Sequence, residues 1–194
     1  AEDGEIELAG PTVFKGYFRD PAATADTMDG RWLKSGDVVR VMENGEITVV
    51  DRKKAIIITS GGKNIAPSEV ENALKDSPFI KEVIVVGDGR KFLAALIQID
   101  FDNVGRWASD EALAYTTYRS LTELPEVRVL VQGVVDDVNK RFARVENIRK
   151  FLILEKELDH DDGELTATQK VRRSIIDRKF ASELATIYGG EGQR

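Results

Sequence analysis

The sequence has no cysteine and one histidine, His160, among its 194 residues. The first absence excludes disulfides, thiolate metal sites and cysteine nucleophiles. The second excludes His-based triads and His-rich metal sites, so no metal centre is expected in this chain. Long apolar runs are missing too. Runs such as residues 83–86 and 93–97 fall far short of the roughly 20 residues a membrane-spanning helix needs. There is no surplus of positive charge. The net charge is −6, with 10 acids against 5 bases in residues 1–50 and 24 against 23 in residues 51–194. Nucleic acid is therefore not an expected partner. The acidic N-terminus carries no signal-peptide pattern, and the lack of disulfides suits a cytoplasmic protein.

Hydrophobic residues make up 42% of the chain and charged residues 32%, the balance of a globular protein of one or two domains with a real core. The chain opens on Glu2-Asp3-Gly4 rather than on methionine. That tripeptide reads as a turn between strands. A segment of a longer polypeptide and a processed terminus fit this opening equally.

Residues 5–50 read as short strands and turns, with one short helix over 21–28. Residues 38–41 and 47–50 alternate around Asn44-Gly45, a hairpin signal. Four charged residues at 51–54 mark a boundary. Beyond it the pattern is α+β. A strand is expected at 56–59, and a helix begins at Pro67 with Val70, Ala73 and Leu74 on its apolar face. A hairpin pairs 83–86 with 93–99 across Gly87-Asp88-Gly89. Helices are expected at 103–108 and 110–121. Pro125 opens a long one with Val127, Leu130, Val131, Val134, Val138 and Phe142 on one face. Residues 151–154 form a strand, 160–163 a polar loop, 170–187 a last helix and 189–194 a disordered tail.

Three segments carry chemistry. In Trp32-Leu33-Lys34-Ser35-Gly36-Asp37, two small residues make a turn that exposes the carboxylate of Asp37. An ionised carboxylate accepts two hydrogen bonds side by side, which suits vicinal ribose hydroxyls. The second segment, 51–71, runs from Asp51-Arg52-Lys53-Lys54 through an apolar strand to Gly61-Gly62-Lys63, then to a Pro67 helix carrying Glu69 and Glu71. Glycines there let backbone approach a ligand closely. The third, 163–173, reads Gly-Glu-Leu-Thr-Ala-Thr-Gln-Lys-Val-Arg-Arg. A Thr-rich turn delivers Lys170 to the threshold of a basic amphipathic helix. Taken singly, each segment is also compatible with an ordinary turn, a solvated linker or a helix start.

Together and in this order, the three resemble the adenylate-forming acyl-CoA synthetases. Residues 32–37 resemble that family's Gly-Trp-x-x-[Thr/Ser]-Gly-Asp motif, with Arg31 between Gly30 and Trp32. Residues 51–71 resemble its Asp-Arg-x-Lys hinge segment. Residues 165–173 resemble its terminal Pro-Lys-Thr-x-x-Gly-Lys motif, with Leu165-Thr166 in place of Pro-Lys and Gln169 in place of the glycine. This last form, with the long stretch over 100–150, resembles the long-chain fatty acyl-CoA ligase branch.

The resemblance implies an α+β fold. A C-terminal lid domain at 55–188, with a small mixed or antiparallel sheet flanked by helices, would follow a hinge at 51–54. Residues 1–50 would be the β-rich end of a large N-terminal AMP-binding domain. It also implies ATP and CoA as cofactors, with Mg2+ accompanying ATP on ligands outside this chain, and a fatty acid as substrate. Asp37 would bind the ribose and Arg52 the ribose and phosphates. Lys54 would be the hinge. Gly61, Gly62 and Lys63 would line the CoA channel, and Lys170 would be the catalytic lysine. The family's phosphate loop, its Tyr-Gly-x-Thr-Glu segment and an acyl tunnel occur nowhere in the sequence, so the fragment alone is expected to be inactive. Two alternatives stay open: a fatty acyl-AMP ligase that passes its product to a carrier protein, and a non-catalytic binding or regulatory module.

The remaining residues read more plainly. His160 is expected to be solvated, and Phe92, Phe101 and Trp107 to pack in the core. Arg172, Arg173, Arg178 and Lys179 are expected to form a solvated helix face, with peripheral membrane contact as the minor alternative.

Overall fold

The computed structural model describes residues 1, 3–168 and 170–189. Gln169, and all of the expected tail except Gly189, lie outside the described residues. The chain divides into two compact units, Ala1–Ile56 and Ile57–Arg194.

In the first unit, β1 (Glu5–Leu8) leads to a short helix α1 (Pro21–Thr27). The Asp20 side chain caps this helix by accepting from the Ala23 N–H at 2.9 Å. Then come β2 (Met28–Asp29), β3 (Trp32–Val41) and β4 (Ile47–Arg52). All pairings are antiparallel, and β3 pairs with the other three. The Asn44-Gly45 hairpin forms as the sequence implies, with Gly45 at φ 83°. Residues 32–37 do not form a turn. They belong to β3, which runs unbroken past Asp37 and absorbs a register shift between Val38 and Val39. A bulge of this kind twists a strand without ending it.

The second unit begins with β5 (Ile57–Ile58) and β6 (Asn64–Ile65), a small antiparallel pair. The strand expected at 56–59 shrinks to two residues, Ile57 buried and Ile58 52% exposed. Helix α2 (Pro67–Lys75) follows, with Pro67 in its first turn and Val70, Ala73 and Leu74 buried. Strands β7 (Ile80–Val86) and β8 (Leu93–Ile99) form the expected hairpin.

Next come α3 (Phe101–Asp110), α4 (Tyr118–Thr122), α5 (Pro125–Asn139) and β9 (Ile148–Ile153). The stretch 110–121 is not one helix. Ala112 turns the chain at φ 56°, and helix resumes only after Thr117 caps α4. Along α5 the buried stripe is Val127, Val131, Val135 and Val138. Leu130 and Val134 flank it, and Phe142 packs on the same core from beyond the helix end. The Asn139 side chain accepts from the Ile148 N–H and donates to the Ile148 carbonyl, both at 2.9 Å. It thereby pins the end of α5 to the start of β9.

The sheet order is β7-β8-β9, with β8–β9 parallel. A parallel pair needs a long crossover, and α3 to α5 supply it. Every residue of β8 is buried, because helices cover both of its faces. Val83, Val85, Ala95 and Ile97 join the core under α2 and α5. Their neighbours Ile84, Val86, Ala94 and Leu96 join a second core closed by Ile176 and Tyr188. The result is the mixed α+β architecture expected, with a small mixed sheet between helices.

The last helix is two helices, α6 (Arg173–Lys179) and α7 (Ala181–Tyr188). Phe180 breaks the run at φ −100°, ψ 23°, and it packs against the second core. Among the described residues no helix is long and apolar enough to cross a membrane.

Candidate functional site

In the first unit, Asp37 and Arg52 face each other across β3 and β4, with Arg52 Nε 3.0 Å from Asp37 Oδ1. The carboxylate is therefore partly shielded rather than fully displayed: the Asp37 side chain is 31% exposed and that of Arg52 70%. Gly36 holds the approach to Asp37 in the left-handed region at φ 74°, a conformation glycine adopts without steric cost. The Gly36 N–H donates to Glu5 Oε1 at 2.8 Å, and the Ser35 hydroxyl donates to the Ile6 carbonyl at 2.6 Å.

Glu5 is 5% exposed and also meets Lys53 Nζ at 2.8 Å, which reaches Asp3 at 2.5 Å as well. Lys53 and the Gly36 N–H hold the Glu5 carboxyl below its ordinary value. Arg52 and Lys53 thus each have an acidic partner. Lys54 lies exposed in a single 3-10 turn, Lys53–Ala55.

In the second unit, residues 61–63 form the exposed tip between β5 and β6. The Thr59 N–H donates to the Lys63 carbonyl at 3.0 Å, and the Gly62 N–H to the Thr59 carbonyl at 2.8 Å. Gly62 sits at φ 72°, and a Cβ built there meets nothing within 4 Å. The tip is open backbone. The loop after β7 supports it from beside: the Ser60 N–H donates to the Arg90 carbonyl at 2.9 Å, and Asp88 Oδ1 accepts from the Ile58 N–H at 3.0 Å.

Lys170 is exposed and is not at a helix threshold, since α6 begins three residues later. It stands at the exit of a tight loop. Leu165 and Val171 form an antiparallel bridge. The Thr166 N–H donates to the Lys170 carbonyl at 2.8 Å, and the Lys170 N–H to Thr166 Oγ1 at 3.0 Å. The Arg172 N–H closes the base on the Glu164 carbonyl at 2.8 Å. Extended pairing, not helix, therefore fixes the lysine's backbone.

Two buried carboxylates stand at the feet of this loop, and sequence reasoning assigned neither a role. Glu164 is fully buried. Its carboxylate accepts from the Asp159 N–H at 2.9 Å and meets Lys156 Nζ at 3.1 Å and Lys179 Nζ at 2.7 Å. Burial acts to raise its pKa, but Lys179, the Asp159 N–H and Lys156 outweigh burial and hold it below the ordinary value. Glu71, 7% exposed on α2, takes Arg173 NH2 at 2.5 Å and the Val85 N–H at 2.8 Å. Burial pushes its carboxyl up, against the pull of Arg173. The sequence held one faint signal for both: carboxylates beside apolar residues with cations far along the chain.

These contacts correct the reading of the C-terminal cations. Arg173 is half-buried and ion-paired within the unit rather than solvated; Lys179 is ion-paired as well but stays exposed, as do Arg172 and Arg178 of the expected basic face. His160 is half exposed beside Asp161, and Phe92, Phe101 and Trp107 pack against the cores as expected. No group of three or more metal-ligating side chains occurs among the described residues.

Comparison with known proteins gives a consistent picture. Residues 54–192 match the family described as AMP-binding enzyme C-terminal domain. A long-chain-fatty-acid–CoA ligase, FadD15, of Mycobacterium tuberculosis is 39% identical over 98% of this chain and 32% of its own length. Long chain acyl-CoA synthetase 7, peroxisomal, of Arabidopsis thaliana is 30% identical over 95% of this chain and 27% of its own. This chain thus spans about a third or less of those relatives. Among solved structures, the adenylation domain of a carboxylate reductase from Mycobacterium chelonae shares the fold with a TM-score of 0.78. It has 24% identity, over 96% of this chain and 28% of that one. An O-succinylbenzoate coenzyme A synthetase from Bacillus subtilis, in complex with AMP, gives a TM-score of 0.59 at 27% identity, over 88% and 29%.

Proposed function

Because the chain belongs to the AMP-binding enzyme C-terminal domain family, we propose that it is the C-terminal part of an ATP-dependent ligase joining a long-chain fatty acid to CoA. The relatives' names support the acid and favour CoA over a carrier protein as acceptor. In this reading residues 1–50 close the AMP-binding domain, 51–54 are the hinge with Lys54 at its centre, and 55–188 form the lid.

The observation that carries the reading is Lys170, an exposed ammonium on a loop that its own backbone bonds hold in place. A carboxylate oxygen must attack the α-phosphorus of ATP although both are anionic. A compact cation bridging the two lowers the repulsion, and pyrophosphate leaves as the new bond forms. Asp37 accepts from the ribose hydroxyls, and Arg52 shares the nucleotide with it. Magnesium travels with ATP on ligands outside this chain. In the second step the lid turns about Lys54 and offers the open backbone of Gly61, Gly62 and Lys63 to the pantetheine arm. The CoA thiolate attacks the acyl carbonyl and AMP departs.

The test is Lys170→Ala in the polypeptide that joins this chain to its AMP-binding domain. ATP–pyrophosphate exchange should fall by about 10²- to 10³-fold, the usual effect of removing one electrostatic stabiliser. Conversion of preformed acyl-adenylate and CoA to thioester should stay unchanged. Undiminished exchange would sink the reading.

A further inference from the structure

Among the described residues of the second unit, the carboxylate of Glu164 is the one acidic group with no exposure at all, and nothing in the proposed chemistry uses it directly. Burying a charge is costly unless partners satisfy it. Here the Asp159 N–H and the Lys156 ammonium hydrogen-bond Oε2, and the Lys179 ammonium stands 2.7 Å from Oε1 as an ion pair without hydrogen-bond geometry. They come from three places, the loop after β9, the turn preceding Glu164 itself, and α6. The same residue is also the first rung of the loop that carries Lys170. Its carbonyl accepts from the Arg172 N–H at 2.8 Å, and its N–H donates to the Asp159 carbonyl at 3.1 Å. The next rung is the Leu165–Val171 bridge, and the next joins Thr166 to Lys170.

We infer that Glu164 is the positioning residue for Lys170: its buried carboxylate anchors the base of the loop to α6 and so fixes where the ammonium is presented. The lysine has no side-chain partner of its own among the contacts described, so its reach is set by its backbone, and the backbone is set from Glu164. A single anchored carboxylate suits the task. Both cations stay paired with Asp162 if Glu164 loses its charge, so the effect is confined to the loop. This inference rests on the proposed role of Lys170 for its catalytic consequence, but not for its structural one.

The structural consequence is tested on the 194-residue chain itself with Glu164→Gln and Lys179→Met, each under limited trypsin digestion. Cleavage after Lys170, Arg172 and Arg173 should accelerate about tenfold or more, as expected for a local opening made easier by one charged contact. Cleavage at Arg149 and Lys150 in β9 serves as the reference for global unfolding. If Glu164→Gln accelerates both regions alike, the carboxylate holds the whole fold and the inference is overturned, unless Lys179→Met opens the loop alone, which upholds it. Equal cleavage in wild type and both variants also overturns it.

The catalytic consequence is read in the polypeptide with its AMP-binding domain. Glu164→Gln should lower ATP–pyrophosphate exchange by about 10²-fold, the cost of roughly an ångström of misplacement, and leave thioester formation from preformed acyl-adenylate intact. A merely structural defect lowers both. Normal exchange in Glu164→Gln, where Lys170→Ala lowers it, overturns the positioning role. Normal exchange in Lys170→Ala overturns the functional reading instead, and leaves the trypsin result standing.

Discussion

Arg173 and Glu71, 102 positions apart in sequence, meet at 2.5 Å and together satisfy both backbone groups of Val85. Glu71 takes the Val85 N–H at 2.8 Å, and Arg173 NH1 donates to the Val85 carbonyl at 3.0 Å. Strand β7 is an edge of its sheet, so at Val85 the ion pair stands in for a missing neighbouring strand. The same pair ties α2, which follows the 61–63 tip, to α6, which follows Lys170.

Replacing Arg173 by leucine should therefore destabilise the second unit by about 2–3 kcal/mol. That is less than the 3–5 kcal/mol of a fully buried pair, since the Arg173 side chain keeps 33% of its surface in water. Apolar replacement of both partners often restores stability. Here Glu71→Leu with Arg173→Leu should not, because the N–H and carbonyl of Val85 are then orphaned. Glu71→Gln should be milder than either, since its amide oxygen still accepts from Val85. Urea denaturation of the four proteins checks the order, and full recovery in the double variant would refute the edge-capping account.

The same substitution should act with opposite signs at two glycines. At Gly87 a Cβ would lie 2.7 Å from Leu93 Cδ2 and 3.2 Å from the Phe92 carbonyl oxygen, and Leu93 is wholly buried. Gly87→Ala should cost about 1–3 kcal/mol, the range of core overpacking. Gly133 is exposed in the middle of α5, and a Cβ there meets nothing within 4 Å. Gly133→Ala should gain about 0.5–1 kcal/mol from helix propensity alone. Thermal melts of the two variants against wild type decide it.

These contacts also show where a one-dimensional reading stops. Alternation, turn chemistry and helix-start prolines made the β3–β4 and β7–β8 hairpins, α2 and α5 legible, because the forces that form them act within a few residues. Asp37 and Arg52 could each be singled out through the family resemblance, but their contact at 3.0 Å depends on strand register. Three things were hidden. The non-helical backbone at Lys170 and Val171 depends on a bridge between Leu165 and Val171, which overrides the helix expected to begin at 170. The break at Phe180 depends on the second core, which that side chain helps to fill. The burial of Glu71 and Glu164 depends on cations that local sequence does not connect to them. A carboxylate at a helix start or in a polar loop reads as solvated until the fold brings Arg173 or Lys179 against it.

Acid should loosen the Lys170 loop before it unfolds the sheet. The Glu164 carboxyl is held below its ordinary value of 4.5 in the folded chain, where its cations and the Asp159 N–H outweigh burial. A carboxyl depressed by folding contributes stability above its unfolded pKa, and that contribution is lost as pH falls through the folded one. The window thus opens below the ordinary glutamate range and extends further into acid. Asp162, lowered by Lys156 and Lys179, titrates in the same sense and adds to the effect. Hydrogen exchange measured between about pH 6 and pH 3, corrected for intrinsic rates, should show amides of 164–172 losing protection first, with β8 unchanged. Glu164→Gln has no charge to lose there. Its loop should be less protected at the upper end of the range and much flatter in its response to pH. An identical pH response in wild type and Glu164→Gln would assign the acid sensitivity to another group.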